Sequence, residues 1–208
     1  EAQYPDLITP DSPSQRVSGK PLPEFKKVTH KVAQWSFNDA FTPDEMVLFD
    51  ERVKRFVRGE VAKDISPTYT CEHKIDGLKI VLEYKNGLLI QAATRGDGTV
   101  GEDVTENVKT IESVPLRLTD ALDIIVEGEI WMAKSQLAVL NKARKVIGEE
   151  PFANPRNVAA GSIRQLDPKI AASRKLDVFL YDISYSSNPV PKSQHEELEL
   201  LKTLGFKV

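Results

Sequence analysis

Two rhythms of apolar and polar positions divide the chain. Met46, Phe49, Val53 and Phe56 recur at helical spacing, which predicts an amphipathic helix whose stripe packs as core against the main domain. Thr42 stands as the cap of that helix and Pro43 at its first position, and Glu45 completes a capping box. From Thr68 the rhythm switches to alternation. TYTCEHKI and LKIVLEY read as strands, Lys85-Asn86-Gly87 as a tight hairpin turn, and LLIQAAT as the returning arm. A polar, glycine-rich loop (RGDGTVGED) and a short helix near residues 104–110 follow. Beyond them, LDIIVEGEIWM predicts a long strand and KSQLAVLNKARKVIG a helix. FANPRNVAAGSIRQLD reads as a loop entering a small-residue helix, LDVFLYDISY as a strand, and SQHEELELLKTLGF as a last amphipathic helix. Antiparallel hairpins interleaved with helices predict an α+β fold with antiparallel sheets and flanking helices, not a doubly wound one.

The two ends read differently from the middle. Residues 1–23 carry five prolines and little apolar periodicity, so they are expected to form an extended connector from a segment preceding Glu1. The folded domain is expected over 24–208. Gly205-Phe206-Lys207-Val208 reads as the start of a further strand, so the C-terminal part of the domain is expected beyond Val208.

Composition narrows the function classes. A net charge of -3 gives no basic footprint, so any nucleic-acid partner must be gripped by local Lys/Arg clusters. The single cysteine, Cys71, excludes a disulfide framework and a cysteine-based zinc site, and fits a reducing, cytoplasmic setting. No apolar run approaches the ~18 residues that span a membrane.

Candidate chemistry centres on KIDG at 74–77. Glu72 lies two residues before Lys74 and would share its strand face, and Gly77 permits a sharp turn. Arg95, at the end of the hairpin's return arm, could reach the same place. A lysine near a guanidinium and partly desolvated gains a neutral, nucleophilic amine, and cationic neighbours suit phosphorus as its target. Glu127 and Glu129 fall on one face of a strand, either solvated or placed to hold a ribose hydroxyl or a metal ion. Arg156 and Arg164 are eight residues apart, about two helical turns, and suit phosphate clamping or a plain helix surface. His30, His73 and His195 have no ligand spacing, and Trp35 and Trp131 read as core. Gly96-Asp97-Gly98-Thr99-Val100-Gly101 matches the dinucleotide pattern GxGxxG, but it follows a hairpin arm, and Glu102 and Asp103 would repel a pyrophosphate.

Together, CEHKIDG, ATRGDGTVGEDVTENVKTI, VEGEIWM and FANPRNVAAGSIRQLDP resemble the adenylation domain of bacterial NAD+-dependent DNA ligases. LITPDSPSQRVSG resembles the connector that leads into it. The resemblance implies a nucleotidyltransferase fold of the DNA-ligase type, related to ATP-grasp, and a chemistry in which Lys74 attacks the α-phosphorus of NAD+. Asp76 would help set the lysine's environment. Glu72 would read the adenine edge, Tyr181 stack on adenine, Glu129 hold the ribose hydroxyls, and Arg95 contact ribose and phosphates. Ser36 and Phe37 match a nucleotide-contacting pair, and Arg156 and Arg164 match DNA or 5′-phosphate contacts. Mg2+ would be held mainly by substrate phosphates, with no metal ligand in this chain, and zinc would belong to later segments of the family. The partners implied are NAD+ or AMP and nicked duplex DNA, met by a monomer in the bacterial cytoplasm at the nucleoid, with no membrane. Two features depart from the family: Phe37 replaces the usual leucine, and Glu127 stands where members often carry arginine. Two rival readings share the motifs, an ATP-dependent nucleotidyltransferase of the same superfamily and a nucleotide- or DNA-binding fragment without turnover.

Overall fold

The computed structural model describes residues 5–17, 19–20, 22–61 and 66–208. They belong to two units, Glu1–Gln34 with Lys74–Val208, and Trp35–His73. In chain order the elements are β1 (Lys27–Thr29), α1 (Pro43–Val61), β2 (Leu78–Lys85), β3 (Leu88–Thr94), β4 (Val100–Glu102) and α2 (Thr105–Lys109). They continue with β5 (Ile124–Trp131), α3 (Lys134–Val146), α4 (Pro155–Ile163), α5 (Pro168–Ser173), β6 (Asp177–Ser186) and α6 (Gln194–Thr203). This mixture of helices and antiparallel sheets is the α+β class expected.

The larger unit is organised by a four-stranded sheet in the order β3-β2-β5-β6, antiparallel throughout. Its hairpin forms where expected: Asn86 (φ 49°) and Gly87 (φ 73°) both take positive φ, the requirement of a two-residue turn that matches strand twist. Alternation then sorts the side chains. Ile80, Leu82 and Tyr84 of β2 join Ile124, Val126 and Ile130 of β5 and Val178 and Leu180 of β6 in the core. Val108 of α2, Val158 and Ile163 of α4, and Leu201 of α6 cover that face. The opposite face carries Lys79 and Glu83 on β2 and Glu127 and Glu129 on β5, with Lys79 opposite Glu129 and Val81 opposite Glu127. A core face and a polar face thus share the same strands.

Several expectations need correction. TYTCEHKI makes no strand: residues 66–76 are irregular, and β2 begins only at Leu78, opposite Ile130. The partner strand β5 ends at Trp131, so no row of peptide groups remains to pair with the chain before Gly77. The same-face argument for Glu72 and Lys74 therefore has no strand beneath it. RGDGTVGED is not all loop, because β4 pairs with β1 in a second small sheet whose partner lies far upstream in sequence. Gly205–Val208 is not a new strand, although Leu180 N donates to Lys207 O at 2.8 Å.

The described part of the connector is compact. It forms 3₁₀ turns at Pro5–Leu7 and Pro13–Val17. Arg16 donates to the carbonyls of Lys109, Ile111 and Val114 at 3.0–3.2 Å, the groups that the end of α2 and its following turn leave open. Asp11 accepts from Arg117 at 2.6 Å. Proline suppresses repetitive structure, but one half-buried guanidinium anchor suffices to fix the path.

In the 35–73 unit the capping box forms as read: Thr42 Oγ1 accepts from Glu45 N at 3.2 Å, and Glu45 Oε2 accepts from Thr42 N at 3.0 Å. Tyr69 donates to Asp50 at 2.8 Å, and its ring lies 6.0 Å from that of Phe49. Within this unit the helical stripe is only partly covered, however. Met46 is 53% and Phe56 70% exposed, and Trp35, also read as core, is 70% exposed. One helix with extended chain has no second apolar layer of its own to cover the stripe. Among the described residues no helix is long and apolar enough to cross a membrane.

Candidate active site

The cleft is built where the chain enters β2. A Cβ at Gly77 would lie 2.0 Å from Ile130 O and 3.0 Å from Glu129 Cγ, so only glycine lets the backbone cross β5 here. That crossing points the Gly77 N–H at the Glu129 carboxylate. Beside it opens a cleft of about 470 Å3 lined by Gly77, Lys79, Arg95 and Glu129, with Lys27, Glu102, Arg156 and Arg164 at its margin. Burial pushes the Glu129 carboxyl above its ordinary value, opposed in turn by the Lys74 charge, the Gly77 N–H, Arg156 and Lys79. The result is a half-buried carboxylate ringed by cations.

Lys74 itself is exposed, so the partial desolvation expected for it is absent. Asp76 is also exposed and accepts from Arg156 Nη1 at 3.1 Å. Arg156 sits in the first turn of α4, whose start is fixed by Asn154 accepting from Asn157 N at 2.8 Å and by Pro155. Arg164 lies at the end of that helix and bonds Glu102 at 2.8 Å, while Lys27 reaches the same carboxylate at 3.3 Å. Burial pushes Glu102 up, but the bonds from Arg164 and Lys27 outweigh it and leave its carboxyl below the usual range.

Arg95 opens a loop that holds itself together. Asp97 accepts from Thr99 N and Val100 N at 2.8 and 2.7 Å, and Gly96 and Gly98 take positive φ. His30 Nε2 lies 3.1 Å from the carbonyls of both Thr94 and Arg95. Because carbonyls only accept, that nitrogen carries the proton. The GxGxxG glycines thus serve a turn after a hairpin arm, and the helix after them, α2, is five residues long.

Tyr181 does not line the cleft but feels it. Burial pushes its hydroxyl up, and Glu129, Glu127 and Asp182 push it further. Glu127 is no solvated residue: it is 6% exposed and binds Lys79 at 2.6 Å and the hydroxyl of Ser184. Trp131 stacks on Phe179 at 5.5 Å, with the Lys207 ammonium over both rings.

The structure therefore brings Lys74, Asp76, Arg95, Glu129, Arg156 and Arg164 to one cleft and its surroundings, with Tyr181 near Glu129. Ser36, Phe37 and Glu72 belong to the 35–73 unit, where Ser36 and Phe37 line an apolar hollow with Phe49, Val53 and Phe56. Sequence reading missed Lys27, Lys79 and Glu102. Lys79 was accessible to it, two residues past Gly77 and in step with the polar face. Lys27 and Glu102 meet only through the β1–β4 pairing, which no local pattern announces. Among the described residues no group of three or more His, Cys, Asp and Glu side chains could hold a metal ion.

A cationic cleft in which Glu102 is already paired with Arg164 and Lys27 and Glu129 lies recessed, set on the polar face of an antiparallel sheet, is suited to an anionic ligand that also carries hydroxyl donors. Comparison with known proteins makes the class specific. Residues 22–208 match the NAD-dependent DNA ligase adenylation domain, and the chain belongs to that family. It is 52% identical to a DNA ligase of Brevibacillus brevis, 50% to one of Shouchella clausii and 49% to one of Acetivibrio thermocellus, each over 208 residues. The whole chain is covered in these comparisons, and it spans 30% of the length of each relative.

Proposed function

We propose that this chain is the nucleotidyltransferase part of an NAD+-dependent DNA ligase, with the nucleotidyltransferase fold of that family. The observation that carries the reading is the convergence of Lys74, the Gly77 N–H and Arg156 on Glu129, in a cleft bordered by further cations. NAD+ is the substrate. The Lys74 amine attacks the α-phosphorus, a new P–N bond forms and the bridging P–O bond breaks. Nicotinamide mononucleotide leaves with the oxygen and its electron pair, and the amine proton passes to solvent. AMP remains on Lys74 as a phosphoramidate.

The remaining side chains position and neutralise, which is most of what phosphoryl transfer asks of a protein. Glu129, recessed and held by Gly77, accepts from the ribose hydroxyls. Arg95 lies at the ribose and phosphates, and Tyr181 offers an aromatic face to adenine. Glu72, Ser36 and Phe37 contact the nucleotide in this reading, and Asp76 shapes the surroundings of Lys74. Arg156 and Arg164, now on the exposed carboxylate of Asp76 and on Glu102, exchange those partners for phosphates of nicked duplex DNA. Mg2+ would be held mainly by the substrate phosphates and would neutralise charge there.

The test is cofactor choice. A full-length ligase carrying this chain, given labelled NAD+ or labelled ATP with Mg2+, is expected to take up AMP from NAD+ alone. Uptake from ATP and not from NAD+ contradicts the proposal and supports an ATP-dependent relative. Nick binding with no uptake from either supports a binding module.

A further inference from the structure

The polar face of the sheet holds a charge arrangement that the transfer chemistry leaves unused. Lys79 stands opposite Glu129 in the β2–β5 register, yet its ammonium turns diagonally to Glu127 Oε2, 2.6 Å away. Both side chains are largely withdrawn from water, at 16% and 8% exposure. The other oxygen of Glu127 accepts from Ser184 Oγ, so the anchor is held from two sides. Buried ion pairs contribute little net stability, because desolvation offsets attraction. What such a pair does achieve is to fix a charge in place, and Lys79 lines the cleft beside Gly77, Arg95 and Glu129.

We propose that Lys79, anchored by Glu127, is a positioning residue for Glu129 that keeps a fixed positive charge beside the carboxylate binding the ribose hydroxyls. The inference rests on the ribose-binding reading of Glu129 given above. The groups facing Glu129 are Lys74 and the Gly77 N–H from the entering chain, Lys79 from β2, Arg156 from α4, and Tyr181 from β6. Two of these cations are not constant. Lys74 loses its charge once its nitrogen becomes a phosphoramidate. Arg156 is exposed and shared with Asp76. No bond to Lys79 forms or breaks in the transfer, and it is held by a buried partner. Glu127 in turn faces Asp182 and Tyr181 from β6, and among the described residues Lys79 is the cation that meets this acidic side of the face.

The consequence is readable in pH. A carboxylate accepts from both ribose hydroxyls, whereas its protonated form has lost part of that capacity. AMP affinity should therefore fall as pH drops through the Glu129 titration, and removing the Lys79 charge should move that fall to higher pH. The experiment measures AMP binding to the 208-residue chain by calorimetry from about pH 4 to 8, starting below the ordinary value of the carboxyl. Wild type, Lys79→Arg, Lys79→Gln and Glu129→Ala are compared, with folding checked by circular dichroism. Lys79→Gln is expected to bind a few-fold more weakly than wild type at the acid end and nearly as well at about pH 8, the mark of a titration midpoint moved to higher pH. Lys79→Arg should follow wild type. An equal loss at every pH, or none, overturns the proposal.

If Lys79→Gln does not fold, the double variant Lys79→Gln/Glu127→Gln replaces the ion pair by a neutral hydrogen-bonded pair and is expected to show a smaller acid-end loss in the same direction, because the Glu127 charge that opposed Lys79 is removed with it. A wild-type pH profile in that variant also overturns the proposal. Glu129→Ala separates the two readings. If it binds AMP as well as wild type, the ribose assignment itself fails. If it binds weakly while Lys79→Gln keeps the wild-type profile, only the role of Lys79 fails.

Discussion

The two faces of the four-stranded sheet are made from the same strands and answer to different physics. On one face Ile80 and Leu82 are fully buried, and packing alone holds these side chains. On the other face Glu127 and Glu129, two residues apart, meet opposite fates. Glu127 has a protein partner on each oxygen and does not line the cleft. Glu129 has a backbone N–H and surrounding cations, and a cleft before it. A core face tells how the sheet stands up, and a polar face tells what it is for, through the groups left open.

That contrast predicts that variants on one face lose stability and variants on the other lose chemistry. The largest effect is expected from Lys74→Ala, which should abolish AMP uptake in a full-length ligase carrying this chain. Its thermal midpoint should match wild type, because Lys74 is exposed. Sealing of a nick that already bears AMP on its 5′-phosphate should partly survive, since that step does not use the phosphoramidate. Leu82→Ala should behave oppositely, with a loss of ~2–5 kcal/mol in denaturant unfolding from the removed side chain and the cavity it leaves. Leu82→Ala with unchanged stability would break the comparison from the core side.

Glu129→Ala sharpens it from the polar side. AMP binding should weaken by ~1–3 kcal/mol, the scale of hydrogen bonds to a charged group. Unfolding stability should change little, because burial already disfavours that carboxylate. Replacing Arg156 and Arg164 together should flatten the salt dependence of nicked-duplex binding, by a slope of about 0.9 for each phosphate the protein no longer neutralises. An unchanged slope would make both arginines structural. The smallest effect concerns the connector. The Arg117 guanidinium, with help from Thr9, holds the Asp11 carboxyl at about 2. A depressed carboxyl supports the folded state above its ordinary 3.8 and loses that support as pH falls towards 2. Amide protection across residues 5–17, taken against the intrinsic exchange rate at each pH, should therefore fall over that window, and Asp11→Asn should remove that pH dependence.

What the sequence made legible divides along the same line. The hairpin was readable because Asn86-Gly87 states its own backbone requirement, and the capping box because Thr42 and Glu45 are three residues apart. KxDG and the two arginines of α4 were readable as chemistry, and they do meet at one cleft. Features that depend on a distant partner were not readable. The alternation in TYTCEHKI has no strand beside it, because β5 has already ended. The proline-rich start is fixed by Arg16 reaching carbonyls some hundred residues away. The stripe of α1 shows that amphipathic spacing specifies a helix but not what covers it. The Lys79–Glu127 pair lay in plain view as two charged strand residues, and only their register shows that one anchors the other.

The chemistry proposed for the cleft depends most on Lys74 being the group that receives AMP. The direct measurement is peptide mapping by mass spectrometry after a full-length ligase carrying this chain has been incubated with NAD+ and Mg2+. The expected result is an AMP adduct on the peptide containing CEHKIDGLK, localised to Lys74 and absent from Lys79 in the same stretch. An adduct localised to Lys79, or to any lysine other than Lys74, would contradict it.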